Sequence, residues 1–264
     1  MKTIVLLLAL AGMAVAAEQK STAAVKKPNV LFVLADDLGY GDVHCLNPER
    51  GKIPTPNLDK LASQGMTFTD AHSTSSVCTP SRYSLLTGRY NWRSSLQSGV
   101  LGIASPPLIA ADRLTVPKLL QQQGYQTAGM GKWHLGLDKP VVGNRIQIEQ
   151  PIANGPVTRG FDTFFSSDNR LFAPFMFTEN DRFVGTPLLK ETRVGFKYGQ
   201  GTSLKMDDFA HILPTICDRA IERLETLAGN RRPFFIYFAP SAPHDPFVPT
   251  PEWKGKSGLG VYAD

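Results

Sequence analysis

After residue 17 the sequence has no apolar run approaching the ~20 residues that cross a bilayer, so no stable membrane insertion is expected. It also lacks any cluster of basic residues. The 28 Lys and Arg are scattered among 23 Asp and Glu, and the net charge is only +5. That excludes the basic patch of a nucleic-acid binder and leaves a mild bias toward anionic partners. Cysteine is scarce: the chain has three. An odd count excludes a fold stapled only by disulfides and leaves at least one thiol unpaired. Internal repeats and low-complexity segments are absent, which excludes a solenoid. What remains is an ordinary globular composition, 42% hydrophobic and 19% charged, on a chain long enough for one large core.

The N-terminus is set apart from that core. Lys2 gives a charged start, Ile4 to Leu10 an apolar stretch, and Ala14-Val15-Ala16 a small-residue cleavage site. Residues 1–17 therefore read as a secretory signal peptide, which places the mature chain outside the cell or in the periplasm. No cysteine follows the apolar stretch, so a lipid anchor is not indicated. Residues 18–27 read as a polar leader, and residues 28–264 as the globular part.

Val30 to Ala35 is a continuous apolar run with β-branched members, the pattern of a strand buried on both faces of a parallel sheet. A helix starts at Thr55-Pro56, with Leu58 and Leu61 on one face, and stops at Gly65. Met66 to Ala71 alternates and predicts a second strand. Thr115 and Pro117 start a further helix that ends at Gly124, and Tyr125 to Met130 returns as a strand. Residues 138–205, rich in Pro, Gly, Asn and charge, read as long loops. Phe209, Ile212, Ile216, Ala220, Leu224 and Leu227 recur at helical spacing, with Pro214 as a kink or an early boundary. Phe234 to Phe238 is a fully apolar strand. Strands alternating with helices predict an α/β fold with a doubly wound, mostly parallel sheet and helices on both faces.

In such sheets, sites form at the C-terminal ends of strands. Asp36-Asp37, Lys132/His134 and Pro243-His244-Asp245-Pro246 each follow a predicted strand directly. The run Cys78-Thr79-Pro80-Ser81-Arg82 follows another after a short loop and opens an amphipathic stretch that Gly88 stops. A cysteine at a helix start, with an arginine one turn on, sits where amides and a guanidinium hold an anion. Paired carboxylates at a strand end suit a hard cation or, more plainly, a polar turn.

The C-T-P-S-R run resembles the signature of the type I sulfatases, a family with the alkaline phosphatase-like fold. The resemblance extends from about Pro28 to Asp264. It implies that Cys78 is converted by a maturation enzyme, formylglycine-generating or anaerobic, to formylglycine, whose hydrate is the nucleophile. One hydroxyl attacks sulfur, and the other later expels sulfate. The resemblance further implies that Asp36, Asp37 and an oxygen of the modified Cys78 bind Ca²⁺. Arg82 then orients the hydrate, Lys132 grips the sulfate oxygens, His134 is the base and His244 helps protonate the leaving alcohol. The substrate class implied is sulfated carbohydrate or an aryl sulfate. Cys45 and Cys217 are left to pair or to stay buried as small apolar residues.

The family's Gly-Phe-Asp-x-Phe-x-Gly pattern is met at Gly160-Phe161-Asp162, except that Ser166 replaces the last glycine. His44, His72 and His211 match no family position and read as structural. Arg170 and the run Glu179-Asn180-Asp181-Arg182 are candidates for sugar contacts or for a solvated loop. An Asp-Asn pair followed by a lysine, which the family carries on a later strand, does not occur before Asp264. The expectation is therefore that residues 28–264 are the N-terminal part of a catalytic domain, inactive alone, with the sheet incomplete at its C-terminus. Two rival readings are a phosphate mono- or diester hydrolase of the same superfamily and an inactive glycan-binding relative.

Overall fold

The computed structural model describes residues 26–264, so the signal peptide and nearly all of the polar leader lie outside the described residues. Strand β1 (Val30–Val33) is followed by helices α1 (Pro56–Gln64) and α2 (Cys78–Thr87). Helix α3 (Val116–Gln122) leads into β2 (Gln126–Gly131). The short strands β3 (Val141–Val142) and β4 (Arg145–Ile146) pair with each other. Strands β5 (Thr163–Ser166), β6 (Phe177–Glu179) and β7 (Arg182–Val184) come next. Helix α4 (Ile212–Ala228) and strand β8 (Phe234–Ala239) complete the order.

Six strands form one sheet in the order β1-β8-β2-β5-β6-β7. The first four run parallel, and β6 and β7 add antiparallel. β8 lies between β1 and β2, and its apolar sequence follows from cover on both faces. Phe235, Tyr237 and Ala239 join Tyr83 and Leu86 of α2 in one core. Phe234 and Ile236 join Ile216 and Leu227 of α4 in the other. Each such side chain contributes about 1.5–3 kcal/mol on burial. Helices therefore cover both faces of a mostly parallel sheet, as the alternation of elements predicts.

The element ends follow local chemistry. Gly88 closes α2 in the left-handed conformation at φ 65°, its N–H bonded to Ser84 O at 2.8 Å. Thr115 Oγ1 accepts from Lys118 N at 3.3 Å and caps α3. Pro214 sits in the first turn of α4 and marks its boundary, because first-turn amides need no helical acceptor.

Three expectations are corrected. β1 is an edge strand covered on one face: Val30 and Phe32 pack inward, while Leu31 and Val33 are 50% and 55% exposed. Met66 to Ala71 forms no strand, because no described strand lies alongside to complete a ladder; Met66 and Phe68 are 79% and 71% exposed. Residues 138–205 are not only loops, since β5, β6 and β7, three of the six strands of the central sheet, come from within them.

Candidate active site

The site is assembled at the C-terminal ends of β1, β2, β5 and β8. Asp36 pairs with Pro243 beyond β8 in an isolated parallel bridge, which draws the two strand ends together. Gly131 ends β2 at φ 103°, where a Cβ would lie 2.0 Å from Ala239 O. Gly136, at φ 82°, is packed as closely on Pro106 O. Only glycine fits either place. The two glycines bracket Lys132 to Leu135 and press that segment against its neighbours. Trp133, 2% exposed, anchors the segment edge-on to Phe161 and Phe164.

Helix α2 brings the C-T-P-S-R run to the same place. Cys78 is half-buried in its first turn. Thr79 is fully buried, and its hydroxyl donates to His134 O at 3.0 Å and accepts from Leu101 N at 3.2 Å. Ser81 Oγ lies 2.8 Å from Ser75 O and ties the preceding loop down. Arg82, 1% exposed, donates to Asp36 Oδ1 at 2.7 Å, to Tyr237 Oη at 3.2 Å and to Lys132 O at 3.2 Å.

Charge is concentrated on Asp36. Lys132 Nζ donates to its second oxygen at 2.5 Å. Burial alone would raise the Asp36 pKa, but Arg82 and Lys132 outweigh it and hold the carboxyl below its ordinary range. Burial would likewise lower the Arg82 pKa, and Tyr237 and Asp36 more than offset that.

His134 is held in one tautomer. It adopts φ 50°, and its N–H donates to Asp168 Oδ2 at 2.7 Å, while Trp133 N donates to Oδ1 at 2.9 Å. Its Nε2 lies 2.9 Å from Leu101 O, an acceptor only, so Nε2 carries the proton and Nδ1 is left as the base. Nδ1 is buried without a well-formed hydrogen bond, yet the imidazole lies close enough to Cys78 to dominate the thiol's titration. That contact, with Lys132, outweighs burial and brings Cys78 down from 9.0 to about 7. Burial would lower the His134 pKa, but Cys78, Asp168 and Leu101 O raise it overall.

Asp37 stands apart from this cluster. It is exposed at φ 64°, and its Oδ2 lies 3.6 Å from His244 Nε2. His244 Nδ1 is 2.5 Å from Asp245 O. Asp36, Lys132, His134, Asp168, Arg170 and His244 all border one cavity of about 630 Å³. Two adjacent carboxylates have the hard-oxygen chemistry of a Ca²⁺ site. Their number does not complete one, because both Asp36 oxygens are taken by cations. Among the described residues no group of three or more His, Cys, Asp or Glu is placed to hold a metal ion.

The remaining candidates divide. Ser166 closes β5 with no unusual backbone, and its Oγ accepts from Asp168 N at 3.1 Å, so the family's glycine is not needed there. Glu179 to Arg182 form the β6–β7 turn, where Asn180 Oδ1 accepts from Phe164 N at 2.9 Å. His211 Nε2 lies 2.7 Å from Arg170 Nη2. Cys45 and Cys217 neither pair nor stay buried as small apolar residues: both are free thiols, Cys45 exposed and Cys217 half-buried. Asp168, Tyr237 and the Leu101 carbonyl are site components that sequence reading missed. Asp168 obeys the strand-end rule, but its strand lies hidden in a Pro- and Gly-rich region.

Comparison with known proteins identifies the family. The family model described as Sulfatase matches residues 28–262. An N-acetylgalactosamine-6-O-sulfatase of Bacteroides thetaiotaomicron is 32% identical over 281 residues, 90% of this chain and 52% of that protein. Human arylsulfatase A is 34% identical over 275 residues, 98% of this chain and 48% of its own. A solved Bacteroides thetaiotaomicron sulfatase, from work on the metabolism of multiple glycosaminoglycans, superposes with a TM-score of 0.74 at 31% identity. It is matched over 90% of this chain and 56% of that one. The chain thus spans about half the length of the curated relatives it matches. The sheet is the alkaline phosphatase-like one of these structures, no helix among the described residues is long and apolar enough to cross a membrane, and the chain belongs to the sulfatase family.

Proposed function

We propose that the protein is a sulfuric ester hydrolase that removes O-sulfate from sulfated carbohydrate, with its nucleophile at position 78. The observation that supports this best is the meeting of Cys78 with the imidazole of His134 and the Lys132 ammonium, the last two of which line one cavity. Its likeness to an N-acetylgalactosamine-6-O-sulfatase supports a glycosaminoglycan-type sugar, with small aryl sulfates as assay substrates. Formylglycine, made from Cys78 by a maturation enzyme, supplies an aldehyde hydrate whose two hydroxyls serve attack and release. The half-buried position in the first turn of α2, between a base and a cation, suits that group.

The chain's own residues then have distinct tasks. Lys132 Nζ, which keeps donors beyond the one spent on Asp36, binds the sulfuryl oxygens as a point charge. His134 Nδ1 takes the proton at position 78, because Leu101 O fixes the proton on Nε2. His244, at the cavity edge, spends its Nδ1 proton on Asp245 O and, as an imidazolium, donates a second proton from Nε2 to the departing alcohol oxygen. Arg82 is too deeply buried to be a free sulfate ligand and positions Asp36 and the Lys132 backbone. Asp36, Asp37 and an oxygen at position 78 are the donors offered to Ca²⁺. They fall short of the six to eight oxygens the ion takes, so no step is assigned to it. The signal peptide read in residues 1–17 makes the enzyme secreted or periplasmic.

Mass spectrometry of the peptide spanning Cys78 to Arg82, from protein made in its own host, tests this reading. Sulfur replaced by oxygen at position 78 is the expected result. A free thiol throughout an active preparation removes the proposed nucleophile.

A further inference from the structure

Arg170 is a buried cation that nothing in the proposed chemistry uses. It is 3% exposed and borders the same cavity as Lys132 and His134. Its Nη1 donates to Phe175 O at 2.8 Å and its Nη2 to His211 Nε2 at 2.7 Å, while Nε has no partner. The Phe177 ring lies 4.4 Å from Cζ. Among the described residues no carboxylate lies within 4.0 Å of it. His211 accepts this bond only when neutral, so it adds no negative charge.

A buried guanidinium without a counter-ion costs several kcal/mol. Proteins tolerate such a group where an anion completes it. Burial lowers the Arg170 pKa to about 10, which leaves it cationic at neutral pH. Its neighbour in the chain, Asp168, clamps the His134 backbone. Two residues span at most about 7 Å, so Arg170 is tied closely to the catalytic segment. The planar fork of an arginine matches carboxylate and sulfate oxygens in pairs.

We propose that Arg170 forms an anion subsite on the cavity wall, taking a second negative group of the substrate, a uronate carboxylate or another sulfate ester, beside the sulfate that is cleaved. The assignment rests on the sulfated-carbohydrate reading and adds a selectivity to it. A purely architectural Arg170, holding the Phe175 turn, is the competing role.

The test compares intact, converted enzyme with Arg170→Gln and Arg170→Lys. The probes are 4-nitrophenyl sulfate, N-acetylgalactosamine 6-sulfate, its 4,6-disulfate and a glucuronate-linked 6-sulfated disaccharide. Hydrogen bonds to a charged group are worth about 1.5–3 kcal/mol, or about 10–150-fold. Arg170→Gln should lower kcat/KM by about that factor, through KM, on the disulfate, the glucuronate probe or both. It should leave the two monosulfates within about twofold. Arg170→Lys should fall between, since it keeps charge and loses the fork. The responsive probe tells sulfate from carboxylate. Equal loss on all probes, or none on any, overturns the subsite. Turnover of 4-nitrophenyl sulfate by the parent enzyme reports separately on the sulfatase reading. Should that fail, calorimetric binding of the unsulfated glucuronate disaccharide and of inorganic sulfate still decides: weakening of either by Arg170→Gln supports the subsite, and unchanged affinity for both overturns it.

Discussion

In unconverted protein, replacing His134 by glutamine should slow the reaction of Cys78 with a small aromatic disulfide. The imidazole is the largest cause of the drop in the Cys78 pKa from 9.0 to about 7, with Lys132 adding to it and burial opposing. At pH 7 a thiol of pKa about 7 is about half ionised, against about 1% at 9.0, a gain of about fiftyfold in thiolate. Nucleophilicity falls with basicity at a slope of about 0.4–0.5, which takes back about eightfold over two units. The net expectation is a rate about sixfold above that of an ordinary thiol of equal access, with an inflection near pH 7. His134→Gln should remove most of that advantage and move the inflection upward. Cys45 and Cys217 serve as internal controls, because partial desolvation raises both. Stopped-flow absorbance gives the rates, and peptide mapping assigns them. A Cys78 profile that His134→Gln leaves unchanged refutes the thiol–imidazole contact.

Three further outcomes follow from the packing. Gly131→Ala places a Cβ 2.0 Å from Ala239 O at a φ of 103°, and should cost more than about 3 kcal/mol in urea unfolding. Asp168→Asn leaves one of the Trp133 and His134 amides without its acceptor, which should cost about 1–3 kcal/mol. It also removes a charge that raises the His134 pKa, so the His134 midpoint followed by NMR should move down. The Asp36 pKa is depressed in the folded chain, so on acidification the unfolded chain binds its proton first. The stability Asp36 contributes is therefore full above the ordinary value of 3.8 and is lost as pH falls through the depressed one. Asp36→Asn should flatten that acid limb in denaturant titrations, and at neutral pH should cost about 3–5 kcal/mol by leaving Arg82 buried and unpaired.

The parts of the fold that sequence revealed are those whose burial is written locally. Phe234 to Ala239 is apolar throughout because both faces are covered. Cys78 to Gly88 carries its own start and stop. Met66 to Phe68 misled because alternation marks a face, while a strand also needs a partner. β5 escaped notice because it has four residues within a region dense in turn formers, and Asp168 was lost with it. Asp36 shows the deeper limit. Its carboxylate chemistry was legible, but its pairing with residues 46 and 96 positions away was not. Such contacts are made by strand order, and the placing of β8 between β1 and β2 is a long-range event with no local mark.

The central claim, that sulfate-ester cleavage runs through a converted position 78, is tested most directly by burst kinetics of Cys78→Ser in the intact enzyme, in a host that does not modify serine. A serine keeps one hydroxyl for attack and lacks the second that releases sulfate. The account predicts one product equivalent per active site, then arrest as a covalent sulfate ester visible by mass spectrometry. Matched phosphate esters run in parallel identify the rival chemistry, because a phosphoesterase works with an ordinary serine. Sustained multiple turnover by the unconverted Cys78→Ser enzyme would contradict the account.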